Sequence, residues 1–184
     1  MDERRPVATG AIQAHCPRCR APVLAVVALA LLGLALAETL DPAPHVAWNA
    51  SASAPLGLYW VAHDRPPERG DLVLAWPPRE ASGLAAARGY LPENVPLVKR
   101  VAAMAGDVVC ANSGIVVMND RIVAETLLID AQGRPLPAWN DCRTLKVGEA
   151  FLLMEGVPAS FDGRYFGPIT VDAIVGRVVP IWTW

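Results

Sequence analysis

The hydrophobic and polar positions follow two different patterns along the chain. Residues 21–37 read A-P-V-L-A-V-V-A-L-A-L-L-G-L-A-L-A and contain no charged or strongly polar side chain. A run of this kind forms a helix in lipid, although it is a little shorter than the roughly 20 residues of a typical spanning helix. From Gly57 onward the apolar stretches are short and are separated by turns rich in proline and glycine, which is typical of β-strands.

The strand pattern continues to the C-terminus. The predicted strands are residues 57–62, 71–76, 95–104, 107–111, 115–118, 121–124, 150–154 and 173–180. Asn119-Asp120 fits a two-residue hairpin turn, residues 80–88 have the composition of a short surface helix, and residues 132–140 form a loop. Many short strands with almost no helix predict an all-β fold, built as an antiparallel or barrel-like domain.

Charges on the two sides of the apolar run predict its orientation. Four arginines precede it, at positions 4, 5, 18 and 20, whereas Glu38 and Asp41 follow it. Because Lys and Arg stay on the cytoplasmic side, we expect a cytoplasmic segment 1–20, a transmembrane signal anchor 21–38, a linker 39–48 and an exported domain 49–184. Ala35-Leu36-Ala37 also fits the cleavage site of a signal peptide, which leaves the same domain exported.

Composition and charge exclude several classes of function. The 184 residues suffice for one domain with a core, and the formal net charge of −2 gives no general attraction to nucleic acid. No cluster of His, Cys and carboxylate ligands occurs in the predicted domain, so no metal or other cofactor is expected. His15 and His45 precede that domain, and His63 lies in a charged turn, so a solvated His63 is preferred over a Ser-His-Asp triad.

The four cysteines fall into two pairs. Cys16 and Cys19 form a C-P-R-C motif on the predicted cytoplasmic side, where thiols stay reduced. A single C-x-x-C motif is a weak zinc signal, so a pair without metal is preferred there. Cys110 and Cys142 lie in the predicted exported domain, where oxidation is allowed, and we expect them to form a disulfide.

A serine-containing segment before the first predicted strand is the first candidate for chemistry. Residues 49–60 read N-A-S-A-S-A-P-L-G-L-Y-W, and Ser51 and Ser53 point to the same face if the backbone is extended. Pro55 restricts the backbone, and Gly57 can adopt dihedral angles closed to other residues. A serine held by such neighbours can act as a nucleophile, but an ordinary loop can have the same composition.

Lys99 is the second candidate because it lies inside an apolar predicted strand. Alternation of side chains puts Lys99 on the same face as Leu97 and Val101 and puts Arg100 on the opposite face. Burial of the ammonium group lowers its pKa, and a partly neutral lysine can serve as the general base for a serine nucleophile. The alternative is a lysine that pairs with a carboxylate or extends to water.

Three ordered motifs then resemble a known family. Ser-x-Pro-x-Gly begins at Ser53, L-V-K-R-V-A-A-M-A-G-D-V-V surrounds Lys99, and S-F-D-G-R-Y-F-G begins at Ser160. This order resembles the conserved boxes of type I signal peptidases. G-R-P-L-P-A-W-N-D-C and the terminal I-W-T-W are closer to the TraF-type conjugative transfer peptidases of that superfamily. The resemblance covers residues 47–184 and implies an antiparallel signal-peptidase-like β domain.

The resemblance implies a Ser–Lys dyad. By position, Ser53 would be the nucleophile and Lys99 its general base. The oxyanion of the tetrahedral intermediate would be bound by the Ser53 backbone N–H and, by analogy, by the Ser51 hydroxyl. A donor of this kind typically contributes about 2.7–4 kcal/mol in the transition state.

Three further residues match supporting positions of the family. Ser160 matches a serine that orients the lysine, and Asp162 and Arg164 match a pair that braces the site. Three departures separate the chain from housekeeping signal peptidases. Gly163 stands where those enzymes have the serine of D-S-R, residues 154–159 replace their G-D-N-R-D run, and A-A-M-A at residues 102–105 departs from their usual G-x-P.

The implied protein is a serine endopeptidase anchored in the bacterial inner membrane, with its catalytic domain in the periplasm. Its expected partner is an exported or membrane-inserted protein, a pilin precursor in the conjugative branch. Water could hydrolyse the acyl-enzyme, or the substrate's own N-terminal amine could intercept it and close a circle. The alternatives are a general type I signal peptidase and, from a different class, a non-catalytic pilus assembly factor.

Overall fold

The computed structural model describes the backbone of residues 17–40 and 43–184 and the side chains of residues 22–36 and 43–184. The chain divides into two units, Met1–Pro42 and Ala43–Trp184. In the first unit, helix α1 (Pro17–Leu40) contains the whole apolar run, with Pro22 near its start. Among the described residues, no helix is both long and apolar enough to cross a membrane. The anchor at 21–38 and its cleaved alternative stay predictions, and Cys16 lies outside the described residues.

The second unit consists of two antiparallel sheets with little helix. Its elements are β1 (Val46–Asn49), β2 (Gly57–Ala62), β3 (Leu72–Ala75), α2 (Arg79–Ala87), β4 (Leu97–Met104), β5 (Val108–Asn112), β6 (Ile115–Met118), β7 (Arg121–Glu125), β8 (Asp141–Thr144), β9 (Glu149–Leu152), α3 (Gly163–Phe166), β10 (Ile169–Thr170) and β11 (Ile174–Thr183). One sheet has the strand order β1-β2-β11-β3-β4-β9-β10, and the other has the order β7-β6-β5-β8. The expected antiparallel β architecture is therefore confirmed.

Each of the eight predicted strands is present, with ends that differ by a few residues. The predicted turn joins β6 to β7, and Asn119 and Asp120 both have positive φ angles, 46° and 64°, as a type I′ hairpin requires. Strands β1, β8 and β10 were not predicted, because each has only four or two residues and shows little alternation.

The predicted linker 39–48 needs a correction at its C-terminal end. Strand β1 begins at Val46, and it pairs with β2 in antiparallel register from Val46↔Trp60 to Asn49↔Gly57. The compact unit accordingly starts at Ala43 rather than at residue 49. Pairing with a distant strand, which local sequence does not encode, makes this segment part of the domain.

The central strands of the larger sheet carry the hydrophobic core. Buried side chains on and next to these strands form three clusters. One cluster includes Ala54, Tyr59 and Val98, a second includes Val73 and Val101, and a third joins β4 to the smaller sheet. In β4, Lys99 is 2% exposed whereas Arg100 is exposed. The predicted placement of Lys99 on the buried face is confirmed.

A disulfide links two strands of the smaller sheet through the two cysteines that were predicted to pair. Cys110 in β5 faces Cys142 in β8 as a register partner, and their sulfur atoms are bonded. The cross-link closes a segment with a sequence separation of 32 residues, which contains the hairpin β6–β7 and the following loop. It thus restricts the unfolded chain as well as the folded one.

We expect the Cys110→Ser/Cys142→Ser variant to lose about 3–4 kcal/mol of unfolding free energy, the loop-closure entropy for a segment of this length. Urea denaturation of the wild type and of the variant, each with and without reductant, measures this difference. Reductant should lower the wild-type midpoint and leave the variant unchanged. An unchanged wild-type midpoint would contradict a stabilising disulfide.

Candidate active site

The loop between β1 and β2 holds Ser53 in a constrained position. Tyr59 donates a hydrogen bond of 2.6 Å from its hydroxyl to the Pro55 carbonyl, which ties the loop to the strand that follows it. Gly57 closes the loop with a φ of 139°, and a Cβ at this residue would lie 2.1 Å from the Trp182 carbonyl oxygen of β11. The strained φ and the close backbone approach explain why glycine is needed here.

Ser53 and Lys99 meet through their side chains. The Lys99 Nζ atom lies 2.6 Å from the Ser53 Oγ atom and 2.9 Å from the Ser160 Oγ atom. Ser53 is 9% exposed and Ser160 is 2% exposed, so little water reaches this contact. Three elements that are distant in sequence supply these groups: the loop after β1, strand β4 and the segment before α3.

The surroundings of Lys99 favour its neutral form. Burial lowers the pKa of Lys99, the negative charge of Asp162 raises it and the positive charge of Arg164 lowers it, and together these effects bring it to about 8. Desolvation is the dominant cause because an ammonium group loses most of its hydration in this position. A lysine with such a pKa is deprotonated to a useful extent at mildly alkaline pH, which suits a general base.

Ser51 lies next to Ser53 on the same side of the loop. Its hydroxyl oxygen is 3.0 Å from the Ser53 Oγ atom, and its hydroxyl donates to the Asn49 Oδ1 atom at 3.0 Å. The expectation that Ser51 and Ser53 point the same way holds, although a turn rather than an extended strand brings them together.

Asp162 and Arg164 form a buried ion pair behind the lysine. The Arg164 Nε atom lies 2.9 Å from Asp162 Oδ1, and the side chains are 2% and 0% exposed. Arg164 also donates to the carbonyl oxygens of Val157 and Ser160, at 2.7 Å and 3.2 Å. Asp162 accepts a backbone bond of 3.1 Å from Met154. The pair therefore connects the end of β9 to the segment that carries Ser160.

The structure explains why residue 163, between these two charged residues, is a glycine. A Cβ atom at this residue would lie 2.7 Å from the Leu152 carbonyl oxygen and 2.8 Å from the Phe151 ring. Since real Cβ atoms do not come so close to backbone, the serine of D-S-R in housekeeping enzymes would not fit here without movement of β9. The departure noted in the sequence thus fits the close packing of α3 against that strand.

A cleft of about 320 Å³ opens beside the Ser–Lys contact. Ser51, Ser53, Lys99 and Ser160 lie along it, and its remaining wall is mainly apolar, with Leu91, Leu97, Leu127, Leu136, Val157 and Phe161. At one side, the Tyr90 hydroxyl donates to the Asp130 carboxylate, which also pairs with Arg134. Such a cleft can hold an extended, largely apolar peptide next to the serine.

The structure also shows where His63 lies, and it adds Asn49 to the surroundings of Ser53. His63 is exposed and contacts the Pro44 carbonyl and the His45 ring, away from the Ser53 loop. No group of three or more potential metal ligands occurs among the described residues. Asn49 was not among the predicted site residues, yet it is 5% exposed and its side chain donates a hydrogen bond to the Ser53 loop. Its position two residues before Ser51 and four before Ser53 was the available signal.

The chain belongs to the signal peptidase family, peptidase S26, whose family model matches residues 19–184. The chain is 36% identical to the plasmid transfer protein TraF of Escherichia coli, over 74% of this chain and 82% of that protein. It is 34% identical to the conjugal transfer protein TraF of Agrobacterium fabrum, over 74% of this chain and 81% of that protein. A crystal structure of a signal peptidase I from Enterococcus faecalis V583 matches with a TM-score of 0.37 and 18% identity, covering 62% of this chain and 98% of that one.

Proposed function

We propose that this protein is a serine endopeptidase with a Ser53–Lys99 dyad that processes an exported protein. The observation that carries the proposal is the buried contact of 2.6 Å between the Lys99 Nζ and Ser53 Oγ atoms. A serine hydroxyl needs a base to become a nucleophile, and the low pKa of Lys99 lets it take that proton. Membership of the signal peptidase family supports peptide bonds as the target.

The reaction begins when neutral Lys99 removes the proton from the Ser53 hydroxyl as Oγ attacks the scissile carbonyl carbon. The negative charge that develops on the carbonyl oxygen is stabilised by the Ser53 backbone N–H and by the Ser51 hydroxyl, which turns its hydrogen from Asn49 to this oxygen. Lys99, now an ammonium, donates its proton to the leaving nitrogen when the C–N bond breaks. The product is an ester between Ser53 and the acyl part of the substrate.

Ser160, Asp162 and Arg164 would keep the base in place. Ser160 accepts a hydrogen bond of 2.9 Å from Lys99, which directs Nζ towards Ser53. The Asp162–Arg164 pair holds the Ser160 backbone through the bond from Arg164 to the Ser160 carbonyl. Lysine has a flexible four-carbon side chain. A partner that orients this side chain in the resting enzyme reduces the conformational entropy that is lost on reaching the transition state.

The substrate that we propose is a pilin precursor, processed at the periplasmic side of the inner membrane. The resemblance of the motifs to TraF-type peptidases and the names of the relatives, plasmid and conjugal transfer proteins, support a role in conjugation. The apolar run at residues 21–37, with arginines before it and acidic residues after it, supports an anchor that leaves the β domain outside the cytoplasm.

The intact mass of a candidate pilin tests this function. The pilin is co-expressed with the wild-type protein and with Ser53→Ala. We expect a loss of mass that occurs only with the wild type. A product one water lighter than its linear form would identify cyclisation through the substrate's own amine, and the linear mass would identify hydrolysis. Equal masses with both forms of the protein would contradict pilin processing.

Two alternatives predict different results. A general signal peptidase would remove the leaders of unrelated exported proteins, so a leader-peptide cleavage assay separates it from a dedicated pilin peptidase. An assembly factor without catalysis would support conjugation equally well with Ser53→Ala. The buried lysine next to the serine argues against this second alternative, since a structural role does not require an expensive buried ammonium group.

The pH dependence of cleavage follows from the pKa of Lys99. The base must be neutral, so kcat/KM should rise with pH and level off above the pKa of about 8. About one tenth of the lysine is neutral at pH 7 and about nine tenths at pH 9, so an increase of about tenfold is expected. Initial rates on a peptide substrate from pH 6 to 10 provide the measurement. A profile that is flat over this range would exclude a base with this pKa.

A further inference from the structure

Asn49 organises the loop that carries the proposed nucleophile. Its side-chain Nδ2 atom lies within hydrogen-bond distance of three backbone carbonyl oxygens, those of Ser51, Ala54 and Pro55, at 3.0, 3.1 and 3.0 Å. These carbonyls can only accept, so they determine which end of the amide is nitrogen. The Oδ1 atom must therefore point the other way, towards the Ser51 N–H and hydroxyl.

This orientation of the Asn49 amide determines which hydroxyl group donates and which accepts in each hydrogen bond of the site. The Asn49 Oδ1 atom has no hydrogen, so in the 3.0 Å contact with it the Ser51 hydroxyl is the donor. Ser51 is then left with its lone pairs for the Ser53 hydroxyl, 3.0 Å away. Ser53 in turn offers its lone pairs to the Lys99 ammonium at 2.6 Å. The donors run in one direction, from Lys99 through Ser53 and Ser51 to Asn49.

We propose that Asn49 is a positioning residue that ends this chain of donors, keeps the Ser53 proton turned towards Ser51 in the resting enzyme and thereby stabilises protonated Lys99. The proposal rests on the dyad function above. When Lys99 loses its proton, the Ser53 hydroxyl turns to Nζ, which is the arrangement required for attack. Asn49 therefore helps to set the pH at which the dyad becomes active, in addition to shaping the loop.

Asn49→Ala should move the titration of Lys99 to lower pH. In this variant the Ser51 hydroxyl loses its acceptor and can donate to Ser53, which favours a Ser53 proton directed at neutral Lys99. A shift of roughly half a pH unit or more is expected, because the change alters the hydrogen bonding of an ionised group.

The other charged groups near Lys99 are unchanged in this variant. Asp162 and Arg164 act on Lys99 from the segment at α3, and Arg88 and Asp130 line the cleft from the other side. None of the hydrogen bonds described for these four residues involves Asn49. A shift of the Lys99 titration in Asn49→Ala is therefore attributable to the loop.

NMR of lysine labelled with ¹³C at Cε follows this titration without any substrate. The full chain contains two lysines, Lys99 and Lys146, and the exposed Lys146 provides an internal reference. Asn112→Ala is the matched control, because Asn112 also ends a strand and accepts from a serine hydroxyl, that of Ser113, at 3.1 Å. We expect Lys99 to titrate lower in Asn49→Ala and unchanged in Asn112→Ala.

A double substitution separates positioning from a general loosening of the loop. Ser51→Ala removes the link between Ser53 and Asn49, so it should also lower the Lys99 titration, and adding Asn49→Ala should then change it no further. Independent shifts in the double variant, or a Lys99 titration that is unchanged or moves to higher pH in Asn49→Ala, would overturn the proposal. Absence of peptidase activity in the wild type would instead refute the proposed function, because the NMR titration needs no activity.

Discussion

Lys99→Arg should abolish peptidase activity while the protein stays folded. Arginine has a pKa above about 12, so it keeps its charge and cannot remove the Ser53 proton at any pH used for the assay. By comparison with the removal of one member of other catalytic units, kcat should fall by about four orders of magnitude or more. Single-turnover cleavage of a peptide substrate, with active-site titration of the wild type, measures the loss.

Two further variants make this result interpretable. Lys146→Arg is the matched control, because Lys146 is exposed and distant in sequence from the site, and it should retain full activity. Lys99→Met removes the base without a permanent charge and fits the apolar surroundings, so an inactive, folded Lys99→Met excludes misfolding as the cause. Activity that survives in either Lys99 variant would rule out Lys99 as the base.

Asp162→Asn should produce the largest loss of stability. Asparagine has nearly the same size, but it removes the charge that pairs with Arg164, and its NH₂ group would face donors from Arg164 and Met154. Breaking a buried ion pair by removal of one partner typically costs about 3–5 kcal/mol, because the other charge is left uncompensated. Equilibrium denaturation in urea, followed by tryptophan fluorescence, measures this change.

Asp162→Asn should also change the pH dependence of catalysis. The negative charge of Asp162 raises the pKa of Lys99, so its removal should move the alkaline rise of kcat/KM to lower pH. Asp172→Asn is the control, because Asp172 is exposed and should change stability by less than about 0.5 kcal/mol. If Asp162→Asn left both stability and the pH profile unchanged, the brace assigned to Asp162 and Arg164 would be wrong.

Local sequence was sufficient for much of the β domain. Short apolar stretches between Pro and Gly turns indicated the strands, and Asn119-Asp120 indicated a hairpin because few other residues accept two successive positive φ angles. The period of two along a strand also placed Lys99, which is buried, and Arg100, which is exposed, on opposite faces of β4. These features depend on neighbours in sequence, so a single chain reveals them.

Other features depended on partners that are distant in sequence. Strand β1 exists because it pairs with β2, and Gly163 is required because β9 packs against α3. The cleft wall likewise depends on the contact of Tyr90 with Asp130, which are 40 residues apart. No periodicity within a segment reports such a contact, since it arises only when the sheets assemble.

The features of the site also fall into those that the sequence indicated and those that only the fold determined. The sequence alone, through the order of its motifs, determined that Ser53 and Lys99 were the residues to consider, and the alternation in β4 determined that Lys99 is buried. Only the tertiary structure decided that Ser53, Lys99 and Ser160 touch across separations of 46 and 61 residues, and that Asn49 ends their hydrogen-bond chain. Hydrogen-bond direction is a property of assembled donors and acceptors, so it exists only in the folded protein.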